Sequence, residues 1–178
     1  ANPENFDARN NNAGILVEVD KGVVKASSFG KLDIAVYGNG ITVDGAGASV
    51  EFKNGGNIIV PTDTVNNLNY YSMAAYDGTI KYGWSEPNNN YQVSTKNCKV
   101  TGNLLVDSET AAINMALNGS NSELKGAVIN NEGGTAWLFL TDGAKWTNVS
   151  NNTNEIGAVS HLSKLDAHYN NNCNSVAK

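Results

Sequence analysis

"GGTAWLFLTDGAKWTNVS", residues 133–150, sets two tryptophans, Trp137 and Trp146, in two short β-prone runs separated by Asp142-Gly143. Asp-Gly is among the strongest signals for a two-residue hairpin, because both central positions of that turn need positive φ. On that reading the two runs pair with each other. The same dipeptide can instead turn a corner between strands that each pair with chain one coil away, as in a parallel solenoid. The two readings give different folds from the same local chemistry.

Working outward, period-two alternation recurs at Ile15/Val17/Val19, Leu32/Ile34/Val36, Ile41/Val43, Val50/Phe52, Ile58/Val60, Leu104/Val106, Ile113/Met115/Leu117 and Leu138/Leu140. Each is a strand signal. Between the runs lie Gly38-Asn39-Gly40, Asp44-Gly45, Asn54-Gly55-Gly56, Asn118-Gly119, Asn130-Asn131, Gly133-Gly134 and Asn151-Asn152, all tolerant of positive φ. Helical periodicity is confined to residues 160–169, where Leu162 and Leu165 share a face. The chain reads as all-β. Anchors at Leu104, Ile113, Leu124, Leu138, Trp146 and Ile156 suggest two or three strands per coil, a rung of roughly 20 to 30 residues. That lies within the solenoid range, about seven to nine coils if each takes ~20 to 25 residues, but it does not decide against the alternative, an antiparallel β-sandwich, toward which the Asp-Gly and Asn-Gly turns lean. The outward positions carry Asn, Thr, Ser and Asp more often than Lys or Glu, which suits stacked ladders where like charges would repel.

At 178 residues the chain is sized for one domain, 1–178. Charged residues are only 16%, against roughly 25% in an average globular protein. Solubility therefore rests on uncharged polar groups, 29 of them asparagines. The net charge is −5 and Arg9 is the one arginine, so no basic stripe exists to grip nucleic acid. No run approaches the ~18 apolar residues of a spanning helix, and a transmembrane segment is not expected. Residues 1–13 read as a polar tail or cap without signal-peptide character, as in a mature segment or excised fragment. Cys98 and Cys173 are compatible with a disulfide or with two buried thiols.

The stretch "LTDGAKWTNVSNNTNEIGAVSHLSKLDA" (140–167), preceded by "NMALNGSNSELKGAVINNEGGTAWLFL" (114–140), resembles the repeats of bacterial autotransporter passenger domains of the pertactin-like type. Leu140, Gly143, Ala144, Trp146, Thr147, Ile156, Leu162 and Leu165 fall on that pattern, and residues 100–126 look like the preceding coil, with Leu124 where the family often has tryptophan. The match covers residues 98–167. It implies a right-handed parallel β-helix, display at the bacterial outer-membrane surface or secretion, and the work of an adhesin or adhesin stalk in virulence. The partners implied are host or bacterial surface glycans or proteins, with self-association at open ends. On this reading 136–141 and 145–149 are strands of successive faces, and Ile113, Leu124, Leu138, Leu140, Trp146 and Ile156 form a core stack.

Chemistry is sparse. Parallel β-helices include polysaccharide lyases and hydrolases, which need a basic residue with calcium-holding carboxylates or a carboxylate pair. Arg9 sits in the polar tail, and the carboxylates at Asp33, Asp44, Glu51, Asp63, Asp77, Asp107, Glu109, Glu123, Asp142 and Asp166 are scattered, mostly in turns. A non-enzymatic chain with no cofactor and no metal site is expected; a polysaccharide-active enzyme or a sandwich-type adhesin are the alternatives. His161 and His168 lack a third ligand, and the three glycosylation-like sequons at Asn118, Asn148 and Asn151 are unremarkable in so asparagine-rich a chain. The individual stretch is the excursion 61–97, which holds five of the seven tyrosines and Trp84. Aromatic faces with adjacent amides suit sugars and protein surfaces. The plainer reading, which the residues favour, is that these rings cover the side or end of the solenoid; a ligand-binding patch, if the chain has one, falls at Tyr70, Tyr71, Tyr82, Trp84 and Tyr91.

Overall fold

The computed structural model describes residues 14–20, 23–29, 34–35, 39–53, 55–60, 70–85, 92–93, 97–150, 164–166 and 176–177. All regular structure among them is β. In chain order the strands are β1 (Gly14–Asp20), β2 (Val23–Phe29), β3 (Ile34–Ala35), β4 (Ile41–Phe52), β5 (Ile58–Ile59), β6 (Tyr71–Tyr82), β7 (Trp84–Ser85) and β8 (Gln92–Val93). There follow β9 (Lys99–Thr101), β10 (Asn103–Val106), β11 (Ala111–Asn118), β12 (Glu123–Lys125), β13 (Val128–Asn130), β14 (Thr135–Thr141), β15 (Lys145–Thr147), β16 (Lys164–Asp166) and β17 (Val176–Ala177).

Asp142-Gly143 turns a corner. β14 pairs in parallel with β11 and β16, with Met115 opposite Leu138 and Leu138 opposite Leu165. β15 pairs in parallel with β12 and β17, with Leu124 opposite Trp146. The dipeptide does adopt hairpin-like torsions, φ 51° at Asp142 and 87° at Gly143, and the Ala144 N–H donates to the Thr141 carbonyl at 3.1 Å. Local turn chemistry is satisfied, yet the flanking strands pair elsewhere. Asn118-Gly119 behaves alike, leading from β11 into β12, where the buried Ser122 hydroxyl donates to the Asn118 carbonyl (2.7 Å) and accepts the Cys98 N–H (3.1 Å). The antiparallel sandwich, which needed hairpins at these two places, is therefore corrected.

The chain visits three columns of parallel strands in turn. One holds β3, β5, β9, β12, β15 and β17. A second stacks the start of β4 (Ile41–Val43) on Met73–Ala75 of β6, then β10, then β13. The third stacks β2, the end of β4, the end of β6, β11, β14 and β16. Antiparallel pairing is found at β1–β2, beside the first parallel strand, and at β7–β8. Two of the columns hold six strands each among the described residues. The interval between paired residues varies: Val100 pairs with Leu124 24 positions on, but Ile58 pairs with Val100 42 positions on.

Inward positions build one continuous core. Ile58, Val100, Leu124 and Trp146 line the first column; Met73, Leu104 and Val128 the second; Ile80, Ile113 and Ala136, with Phe52, Tyr82, Met115 and Leu138, the third. Of the anchors read from sequence, Ile113, Leu124, Leu138 and Leu140 are at most 1% exposed and Trp146 is 7% exposed; Ile156 lies outside the described residues. Each such side chain contributes roughly 1.5–3 kcal/mol on leaving water. Trp146 also places its indole N–H on the Gly126 carbonyl at 2.9 Å, so its polar atom is not stranded inside. On the outside of the first column Lys99, Glu123 and Lys145 lie in register, alternating in sign, the arrangement that avoids like-charge neighbours across strands.

Candidate binding surface

The structure distributes the five aromatic residues of the expected patch. Tyr82 is fully buried in the third column. Its hydroxyl accepts the Gly56 N–H at 3.0 Å and donates to the Gly56 carbonyl, so the phenol head is committed to a neighbouring coil and offers nothing to a ligand. Tyr70 is half-buried against the core. Tyr71 is half-buried beside Ala74, Leu105 and Ile129, which form a small apolar cluster apart from the main core, joined by Tyr76. Trp84 is 5% exposed on β7, a strand that begins two residues beyond the inward Tyr82. Tyr91 lies outside the described residues. Tyr82 and Trp84 are thus buried in the scaffold, which corrects the candidate patch at those two positions, while Tyr70 and Tyr71 are half-buried.

Around Trp84 a different constellation assembles. Glu51, Lys81, Asn114 and Trp137 occupy successive positions of one cross-strand ladder in the third column. The inward residues of that column are their neighbours in sequence, so this ladder faces outward. Trp84 closes over it: its indole N–H donates to the Asn114 carbonyl at 3.1 Å, and its ring centroid lies 6.2 Å from that of Trp137 at an interplanar angle of 53°. Lys81 Nζ sits 4.9 Å from the Trp84 ring centroid, within cation–π range. Trp137 and Phe139, two apart on β14, are both half-buried. The result is a ledge of two half-exposed aromatics, backed by a buried tryptophan and flanked by an ammonium and an amide.

Sequence reasoning overlooked Trp137, Phe139 and Lys81. The signal was present in "TAWLFLT": if Leu138 and Leu140 point inward, Trp137 and Phe139 must face out, and large aromatics are unusual there in a chain whose outward positions are mostly polar.

Elsewhere two carboxylates are tied to hydroxyls of a neighbouring coil. Glu123 accepts the Thr147 hydroxyl at 2.6 Å, and Asp77 accepts that of Thr110 at 2.9 Å. Among the described residues no group of three or more His, Cys, Asp or Glu is placed to hold a metal ion, and no helix is long and apolar enough to cross a membrane. Cys98 is buried; Cys173, His161, His168 and residues 1–13 lie outside the described residues. Comparison with protein-family models, with characterised proteins and with solved structures finds no match to this chain.

Proposed function

We propose that this chain is part of a right-handed parallel β-helix of the autotransporter-passenger kind, displayed at or secreted from a bacterial surface, where it serves as a non-enzymatic adhesin scaffold. The observation that carries the reading is the parallel register of Met115 with Leu138 and of Leu124 with Trp146, inside the stretch whose sequence resembles passenger repeats. Right-handedness follows the strong bias of parallel crossover connections within one sheet. A coil that contacts only its neighbours can fold progressively from one end, which suits a chain that must fold outside the cell. The aromatic ledge at Trp137 and Phe139 supplies the binding surface, and a surface glycan is the ligand class its chemistry fits: flat apolar rings for the sugar's C–H face, with Lys81 and Asn114 nearby for its hydroxyls.

The test is binding of the purified chain to arrayed glycans and to intact cells, beside Trp137→Ala. The expected result is selective binding that falls at least about tenfold in the variant, a loss of ~1.4 kcal/mol, with the unfolding midpoint nearly unchanged. Binding equal in both would remove the ledge from the proposal. No binding to either surface would remove the adhesin role, and depolymerisation of a polysaccharide by the chain would favour an enzyme.

A further inference from the structure

Three Asx-Gly dipeptides are held in the same way. At Asn39-Gly40 the Gly40 N–H donates to the Tyr71 carbonyl (3.0 Å) while the Tyr71 N–H donates to Asn39 Oδ1 (2.9 Å). At Asp77-Gly78 the Gly78 N–H donates to the Thr110 carbonyl (3.3 Å) while the Thr110 hydroxyl donates to Asp77 Oδ1 (2.9 Å). At Asn118-Gly119 the Gly119 N–H donates to the Thr141 carbonyl (3.0 Å) while the Thr141 hydroxyl donates to Asn118 Oδ1 (3.1 Å). The clamping residues lie 32, 33 and 23 positions further along, so each belongs to the next coil. One residue therefore grips both the glycine nitrogen and the preceding side chain.

Those two groups are the partners in the commonest spontaneous damage of such dipeptides. The glycine nitrogen attacks the side-chain Cγ, a C–N bond forms, and the nitrogen's proton leaves with the displaced group, as ammonia from Asn or water from Asp. Water then opens the cyclic imide at either carbonyl, giving Asp or isoaspartate. Glycine makes the attack easiest because it carries no Cβ to hinder it. In the clamp the nitrogen's proton is shared with a carbonyl and the carboxamide or carboxylate is tied to the next coil, so Cγ cannot swing onto the nitrogen.

We infer that coil stacking protects these three dipeptides chemically: imide formation at Asn39, Asp77 and Asn118 waits for the adjacent coil to separate. For a chain with 29 asparagines this converts stacking into resistance to ageing. It also makes deamidation at Asn39 and Asn118 a local reporter of coil opening, since a reaction that needs the open state proceeds in proportion to its population.

The experiment incubates the full chain in mildly alkaline buffer with and without urea and quantifies Asp and isoaspartate at Asn39 and Asn118 by peptide mapping. Native protein is expected to react at least about tenfold more slowly than unfolded protein at both sites. Comparable rates overturn the inference. Thr141→Val keeps a β-branched shape and removes the hydroxyl donor to Asn118; its expected result is several-fold faster deamidation at Asn118 with Asn39 unchanged. Equal acceleration at both sites, or none at Asn118, overturns the role of the clamp. The native-against-unfolded comparison stands whether or not the variant folds.

Discussion

Residues 98–150 and residues 39–85 obey the same parallel register but fill and space their coils differently. In the C-terminal region Val100, Leu124 and Trp146 succeed one another at intervals of 24 and 22 residues, and the interior is mostly aliphatic. In the N-terminal region Val50 pairs with Ile80 and Ile80 with Ile113, intervals of 30 and 33, and β4 and β6 are single long strands that bend across two columns. There the interior takes in Phe52 and Tyr82. Register thus defines the stack, while these intervals between paired residues vary from 22 to 33 and Phe52 and Tyr82 enter the interior where they are long.

The largest effects should come from glycines against which an adjacent coil closes. A Cβ at Gly126 would lie 2.3 Å from the Gly102 carbonyl oxygen, and one at Gly40 would lie 2.5 Å from the Ser72 carbonyl oxygen. Backbone cannot step aside as a side chain can. Gly126→Ala and Gly40→Ala are each expected to cost roughly 3 kcal/mol or more, at the upper end for overpacking, read as a drop in urea midpoint at constant slope. Similar losses would mean the coils touch alike in both regions. A mild Gly40→Ala would show that the N-terminal coils yield.

Interior substitutions rank next and separate the two ways of filling the core. Leu138→Ala opens a cavity in a fully buried position and should cost about 2–5 kcal/mol. Tyr82→Phe keeps the ring but strips both Gly56 backbone groups of their partner, an expected cost of about 1–3 kcal/mol. If Tyr82→Phe proved neutral in urea unfolding, the hydroxyl would be a passenger and the aromatic merely a large filler.

How far this architecture can be read from sequence follows from the same contrast. Inward residues such as Leu138, Leu140 and Trp146 are legible because alternation within an unbroken strand fixes the side each residue takes. Across the bend of β6 it fails: Met73 and Ala75 face the core, and so do Ile80 and Tyr82, which sit on the opposite parity. Gly78, with φ at 99°, lies between them, and the register of β4 against β6 shifts in the same region. Tyr82 reads as a surface ring only while its partner Gly56, 26 positions away, is unknown. Asp142-Gly143 is harder still, since its torsions are those of a hairpin and only the distant partners of β14 and β15 reveal the corner.

The smallest predicted effect, at Gly119, isolates backbone strain when it is set beside a glycine of the other region. Gly78 and Gly119 have nearly the same φ, 99° and 97°, which L-residues adopt only with strain. Their surroundings differ: a Cβ at Gly78 meets the Ala48 carbonyl oxygen at 2.6 Å, whereas at Gly119 nothing lies within 4 Å. Gly119→Ala should therefore cost only the torsional penalty, about 1–2 kcal/mol, and Gly78→Ala that penalty plus the clash. Because φ is shared, the difference between the two urea midpoints measures the closeness of the coils at the bend of β6. If the two variants lost the same stability, strain alone would govern both sites, and the tight stacking drawn from Gly126 and Gly40 would not extend to that bend.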